Sequence, residues 1–277
     1  MENNTHEMED KNRSDISNAS NAVGEAIGKS IENALTNFLK EIVNKYDHNL
    51  ISDGGINPKT KKLKKLLMYD IHNNDYNIDG VVITKNDKPI ILLEYKYCRY
   101  HKHSREKASW VCNTDNSIQK RFTSVRCGIA ILAGRWTSAS IAMMRSHGII
   151  VFHAPFEKIC SVLQVHNIEF DWSEKDKKAK EIGLAKYNSL NECQKQDIAI
   201  EIVKDIIPEI ELTVAKILDT TIERRIKKVG IELYSNVGER KYLEVNSIDD
   251  AVNFLENFTI EEIFNQENAP SFFDKSE

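Results

Sequence analysis

Asn77-Ile-Asp-Gly-Val-Val-Ile-Thr-Lys-Asn-Asp-Lys-Pro-Ile-Ile-Leu-Leu-Glu-Tyr-Lys-Tyr97 decides the fold. Val81–Thr84 and Pro89–Tyr95 are rich in β-branched and apolar residues, and Asn86-Asp-Lys88 lies between them, so the segment predicts two strands joined by a tight turn. Side chains alternate along a strand, which places Glu94 and Lys96 on one face and Tyr95 on the other. A hairpin brings Asp79, at the start of its first strand, back beside Glu94 near the end of its second. Two carboxylates and an ammonium then meet at a strand end. Carboxylate oxygens are natural ligands of Mg²⁺, which takes one or two of them together with waters and substrate phosphate. Lys96 is placed to orient or deprotonate an attacking water or to hold a phosphate oxygen. The Tyr95 side chain is expected in the core, with its backbone carbonyl offering a further metal ligand beside Asp79 and Glu94.

Outward from this hairpin, Cys127–Ala133 reads as a strand buried on both faces and ended by Gly134. Ser138–Ser146 reads as a helix capped by Thr137 or Ser138. Gly148–His153 is a further strand stopped by Pro155, and Phe156–Val165 a further helix. Upstream, Val23, Ile27, Ile31, Leu35, Phe38 and Ile42 recur at helical spacing within Ser17–Tyr46. A polar helix is expected within Arg105–Phe122, around Asn116–Arg121. Paired strands followed by strand–helix–strand units predict an α/β fold with a mixed sheet flanked by helices.

Beyond Ile168 the chain reads as a mainly helical C-terminal region. Glu174–Lys180 is a charge run, and Asn191–Lys228 an amphipathic helical stretch in which Pro208 opens a second helix. Val229–Val245 predicts a hairpin, and Ser247 caps a following helix. The expected organisation is thus a disordered lead-in over 1–16, a core over 17–168 and a helical region over 169–277 serving recognition or dimerisation. The stripe Ile198, Ile202, Ile206, Ile210, Val214, Ile217 and Ile222 suits either a packing face or a dimer contact.

The chain has 277 residues, a formal net charge of -4 and five scattered cysteines without a CxxC pair. Those cysteines suit reduced thiols, and a cytoplasmic protein is expected. No apolar run approaches the roughly 20 residues that span a bilayer, and the polar first residues do not resemble a secretory signal, so no membrane partner is expected. Between Lys96 and Arg126, eight Lys or Arg stand against Glu106 and Asp115. A basic stretch beside the acidic constellation suits a phosphate-backbone substrate. Arg99, Lys102, His103 and Arg105, with Lys120 and Arg121, are the candidate phosphate contacts. Cys98, His101, His103 and Cys112 offer a rival, zinc-binding chemistry, although their spacing matches no familiar finger. His147 and His153 flank a strand and read as core or edge histidines.

Asp79, Glu94 and Lys96 together resemble the PD-(D/E)xK nuclease motif, and the element order around them resembles the restriction-endonuclease-like core. Ile78 stands where the motif has proline. The resemblance spans about Ser17 to Val165 and leaves the remainder unassigned. It implies a Mg²⁺-dependent endonuclease acting on double-stranded DNA, most like a type II restriction enzyme and working as a homodimer. Another nuclease of the same fold, in repair, recombination or phage biology, and a non-catalytic DNA-binding protein are the alternatives. Such families often add a glutamate from the first core helix, for which Glu41 is preferred over Glu32. Gln119, after the motif lysine, is a further DNA-contact candidate.

Overall fold

The computed structural model describes residues 3–173 and 176–264. Five strands form the main sheet: β1 (His48–Ile51), β4 (Gly80–Thr84), β5 (Pro89–Cys98), β6 (Cys127–Gly134) and β7 (Ile150–Pro155). Their order is β1-β4-β5-β6-β7. β1, β4 and β5 pair antiparallel, while β5, β6 and β7 pair parallel. The protein is α/β with a mixed sheet, as the strand pattern predicts. Between β1 and β4 a separate antiparallel pair forms, β2 (Leu66–Tyr69) with β3 (Asp75–Ile78).

Parallel neighbours need crossover helices, and the sequence supplies two. α2 (Ser104–Arg121) links β5 to β6, and α3 (Ser138–Ser146) links β6 to β7. Both steps go the same way across the sheet, so both helices cover the same face. Ala130, Leu132 and Val151 of that face pack with Val111, Cys112 and Met144. The Thr137 hydroxyl caps α3 by accepting from the Ser140 amide at 3.2 Å. On the opposite face, Ile91, Leu93, Ile129, Ile131 and Phe152 meet α1 (Asn3–Lys45) and α4 (Phe156–Val165).

A third helical layer covers α1. It comprises α5 (Lys177–Asn188), α6 (Glu192–Val203) and α7 (Ile207–Leu218). Ile198, Ile202, Ile210 and Val214 share one core with Ile27, Ile31, Leu35, Leu39 and Val43. The Ser30 and Tyr187 hydroxyls are 3.0 Å apart. The apolar stripe of α6 and α7 is therefore a packing face. α1 is buried on two sides, by the sheet and by these helices, which is why Leu35, Leu39 and Val43 are fully buried.

That double burial moves the expected domain boundary. The break lies at Asp219, not at 168, and Thr220 opens a second compact unit. Within it β8 (Val229–Tyr234) and β9 (Arg240–Val245) form the expected hairpin, followed by α8 (Ile248–Asn257) and α9 (Ile260–Phe264). Ser247 caps α8 through the Asp250 amide at 3.0 Å. The helical stretch expected to reach Lys228 stops at Leu218, because Ile222 and Ile226 find no core and are exposed. At the other end α1 begins at Asn3, so the lead-in expected to be disordered is helical from there, and residues 1–2 lie outside the description. Residues 265–277 also lie outside the described residues. Among the described residues, no helix is long and apolar enough to cross a membrane.

A chain ending at Asp219 is expected to melt in one cooperative transition. One ending at Ile168 bares the outer side of α1 and should lose that transition, giving a broad melt with dye-accessible apolar surface. Circular dichroism melts and dye binding check both.

Candidate active site

β5 outlasts its neighbour. The β4–β5 ladder runs from Ile83↔Pro89 to Gly80↔Leu93, whereas the β5–β6 ladder continues to Cys98↔Gly134. From Glu94 onward the β4 side of β5 is an unpaired edge. Asp79 is the single residue between β3 and β4, at the bend where the chain enters the main sheet. It therefore lies where that edge begins. Its Oδ2 accepts from the Tyr95 amide at 2.8 Å and from Lys96 Nζ at 2.7 Å. Lys96 Nζ also donates to Glu94 Oε2. The hairpin thus brings Asp79, Glu94 and Lys96 together as their spacing predicts.

Amide and carbonyl of one strand residue point to the same side. The Tyr95 carbonyl is accordingly directed at the edge where its amide meets Asp79, and the Tyr97 carbonyl, two residues on, at the same edge. Lys107 of α2 donates to the Tyr97 carbonyl at 2.9 Å. A cleft of about 280 Å³ opens here, lined by Tyr95, Lys96 and Tyr97, by Lys107, and by Glu25 and Glu32 of α1. Gly28 lets the helix close on the strand, since a Cβ there would stand 3.1 Å from the Tyr97 Cβ.

Burial shapes the electrostatics. Glu94 is 5% exposed. Desolvation raises its carboxyl to about 8, opposed by the Lys96 charge and assisted by that of Asp79. Desolvation pulls the Lys96 ammonium down, but the Glu94 and Asp79 carboxylates outweigh it and the net direction is up. With all three ionised the trio carries one excess negative charge in a poorly solvated place, a situation that a bound cation relieves. Two carboxylates and a strand carbonyl form an all-oxygen donor set, which fits a hard cation that keeps waters and takes substrate oxygens. Among the described residues no group of three or more His, Cys, Asp or Glu is poised for a metal. A site of this kind therefore relies on the Tyr95 carbonyl and on ligands from outside the chain.

The helix glutamate needs correction. Glu32 lines the cleft and forms an ion pair with Lys29 at 2.6 Å, whereas Glu41 is exposed and away from it. Nine residues of α-helix turn through about half a revolution beyond two full turns and advance about 13 Å, so the two cannot serve the same place. Among the candidate phosphate contacts, Arg99 is not on the surface. It is 9% exposed, donates to the Phe170 carbonyl at 2.6 Å and lies over the Phe170 and Trp172 rings at 4.2 and 4.8 Å. It is a structural cation that ties β5 to the segment after α4. Arg121 is exposed and holds the β2–β3 turn, donating to the Asp70 carbonyl at 2.7 Å and to Asn73 Oδ1 at 3.0 Å. Gln119 is half-buried and donates to Asp115 Oδ2 at 2.6 Å. Lys102, His103, Arg105 and Lys120 are exposed, the first with its ammonium 5.5 Å from the Tyr100 ring centroid.

The zinc alternative does not assemble: Cys98 and Cys112 lie in the apolar layer under α2, while His101 and His103 are exposed. His147 bonds the Met143 carbonyl at 2.9 Å and His153 the Gly134 carbonyl at 2.8 Å, as edge histidines do. Lys107 escaped the sequence reading as a cleft residue. Only its place one helical turn after His103, on a helix whose start was read too late, signalled it. Comparison of the chain with family models, curated proteins and solved structures found no match.

Asp115 supplies a pH test. Burial raises its carboxyl from 3.8 to about 6, against the Gln119 hydrogen bond. The folded protein thus holds this proton more tightly than the unfolded chain. The associated stability is complete below about pH 4 and is lost as pH rises to about 6. In metal-free buffer Asp115→Asn should match the parent near pH 4 and exceed it above pH 6, by up to about 3 kcal/mol. Denaturant melts across that range check it.

Proposed function

We propose that the protein is a Mg²⁺-dependent endodeoxyribonuclease of the PD-(D/E)xK type, with a restriction-endonuclease-like core. The observation that carries this reading is the meeting of Asp79, Glu94 and Lys96 at the unpaired end of β5, with both Asp79 hydrogen bonds in place. Asp79, Glu94 and the Tyr95 carbonyl would hold the cation. When bound, Mg²⁺ stabilises charge building on the phosphoryl oxygens and lowers the pKa of a coordinated water.

The chain's own groups do the rest. Lys96 is kept protonated by its carboxylate neighbours. It therefore serves first as a donor, orienting the water or holding a non-bridging phosphate oxygen. Asp79 Oδ2 accepts from both the Lys96 ammonium and the Tyr95 amide, which tethers the ammonium to the strand. Lys107, and Lys29 beyond Glu32, add positive charge at the cleft for a phosphodiester backbone. Lys102 and His103 in the turn before α2, and Arg105 and Lys120 on α2, are the exposed groups that would extend this contact on duplex DNA. The resemblance favours a type II restriction enzyme. Cutting both strands needs two such sites, which a homodimer supplies.

Plasmid and genomic DNA incubated with the full chain, with Mg²⁺ and with chelator, test the reading. Asp79→Ala and Lys96→Ala should each lower Mg²⁺-dependent cleavage by about a hundredfold or more while the fold persists. Parent-like cutting by either variant would remove the proposal. Discrete, reproducible fragments from the plasmid support the restriction role, and a smear from the plasmid counts against it.

Glu32→Ala and Glu41→Ala separate the two helix glutamates. The first is expected to slow cleavage by about tenfold through the cleft it lines, and the second to leave the rate unchanged. Rate measurements at several Mg²⁺ concentrations decide between them, and equal effects would contradict the assignment.

A further inference from the structure

On the α2 side of the sheet, behind the cleft, lies a much smaller cavity of about 10 Å³. Leu92 and Val111 give it apolar walls, but Glu94, Thr114 and Asp115 also line it. Each of these three presents a buried oxygen with no hydrogen-bond partner: Glu94 Oε1, Thr114 Oγ1 and Asp115 Oδ1. Their other carboxylate oxygens are engaged, Glu94 Oε2 by Lys96 and Asp115 Oδ2 by Gln119 at 2.6 Å. Thr114 is 1% exposed and Asp115 6%. Polar atoms buried without partners are uncommon, and three around one small space call for a common partner.

A single water meets the requirement. The cavity is near the ~10 Å³ that one water needs, and buried waters usually make about three hydrogen bonds. The two water hydrogens suit the Glu94 and Asp115 oxygens, and a water lone pair accepts the Thr114 hydroxyl. All three orphaned atoms are then satisfied. Gly128 of β6 admits the arrangement, since a Cβ there would stand 2.1 Å from Asp115 Oδ1.

We propose that one ordered water fills this cavity and that Thr114 and Asp115 act through it as positioning residues for Glu94. The positioning role rests on the nuclease reading of Glu94, whereas the water site does not. Glu94 is held in front by Lys96 and behind by the water. Its carboxylate plane is then fixed relative to Lys96 and Asp79. Groups that orient a metal ligand from behind commonly change metal affinity or activity by about 10- to 100-fold.

Crystals of the full chain, diffracting well enough to show ordered solvent, are expected to hold a water within hydrogen-bond reach of Glu94, Thr114 and Asp115. Thr114→Val, nearly the same shape, should lose it. Mg²⁺ titrations by calorimetry on the protein alone, and by DNA cleavage, should show half-saturation shifted about tenfold higher in Thr114→Val and restored in Thr114→Ser. Gly128→Ala, which displaces Asp115, should shift it the same way should the valine variant fail to fold. A dry cavity in the parent, or unshifted Mg²⁺ titrations in folded Thr114→Val and Gly128→Ala, overturns the proposal. A parent that holds the water but neither binds Mg²⁺ nor cuts DNA defeats the nuclease reading and the positioning role with it, and leaves the water site standing.

Discussion

The Asp79 carboxylate, held by the Tyr95 amide at 2.8 Å and by Lys96 at 2.7 Å, is the interaction on which the rest of the site depends. A strand that outlasts its partner leaves amides and carbonyls exposed along one edge, and such an edge invites pairing with another chain. Here the edge is closed by side chains instead of a strand. Asp79 takes the amide of Tyr95, and Lys107 donates to the carbonyl of Tyr97. Because a carboxylate and an ammonium perform these backbone tasks, charge gathers where the sheet splits. The same substitution of side chains for a strand produces the cleft.

Polar groups held this way need a rigid wall behind them, and α1 is that wall. A helix that lay on the sheet alone would bury one stripe. α1 buries Ile27, Ile31, Leu35, Leu39 and Val43 between the sheet and the layer formed by α5, α6 and α7. The helices after residue 176 therefore stabilise the helix that presents Glu25 and Glu32 to the cleft. The region beyond Ile168 carries no motif singled out in the sequence, yet up to Asp219 it belongs to the compact unit that holds Asp79, Glu94 and Lys96. Sequence alone separates these parts because nothing in an amphipathic stripe states which surface will cover it.

Legibility followed the strength of local signals. Cys127–Gly134, Ser138–Ser146 and Phe156–Val165 were readable because an apolar run, a capping threonine and a proline each mark an end. β1, β2 and β3 were not, since His48-Asn-Leu-Ile, Leu66-Leu-Met-Tyr and Asp75-Tyr-Asn-Ile are four residues each and interleaved with polar groups. The trio of Asp79, Glu94 and Lys96 was legible from strand alternation and the turn. Glu32 was not separable from Glu41, because both border an apolar stripe and only the crossing of α1 over Tyr95 and Tyr97 selects one. Arg99 misled for a related reason. A cation in a basic stretch reads as surface, and only the aromatic rings of Phe170 and Trp172, some 70 positions away in the chain, turn it inward.

The distribution of unmet polar atoms follows from the same geometry. Among the described residues, five buried side-chain oxygens without a close hydrogen-bond partner lie on β5 and on α2 behind it, at Glu94, Tyr95, Tyr97, Thr114 and Asp115; the remaining such atoms lie just after β5 at Arg99 and Tyr100, and at Trp172. A sheet interior made only for stability would place apolar side chains at Glu94 and Lys96, as it does at Leu92 and Leu93 on the same strand. Desolvation that pushes the Glu94 carboxyl up to about 8 works against the folded state at neutral pH. On the proposed reading, a cation bound by Asp79 and Glu94 would reverse that sign by stabilising the ionised carboxylate. The cost that burial places on the ionised Glu94 carboxylate is, on that reading, what a bound cation would relieve, and cation affinity would be tied to the stability of the strand that carries it.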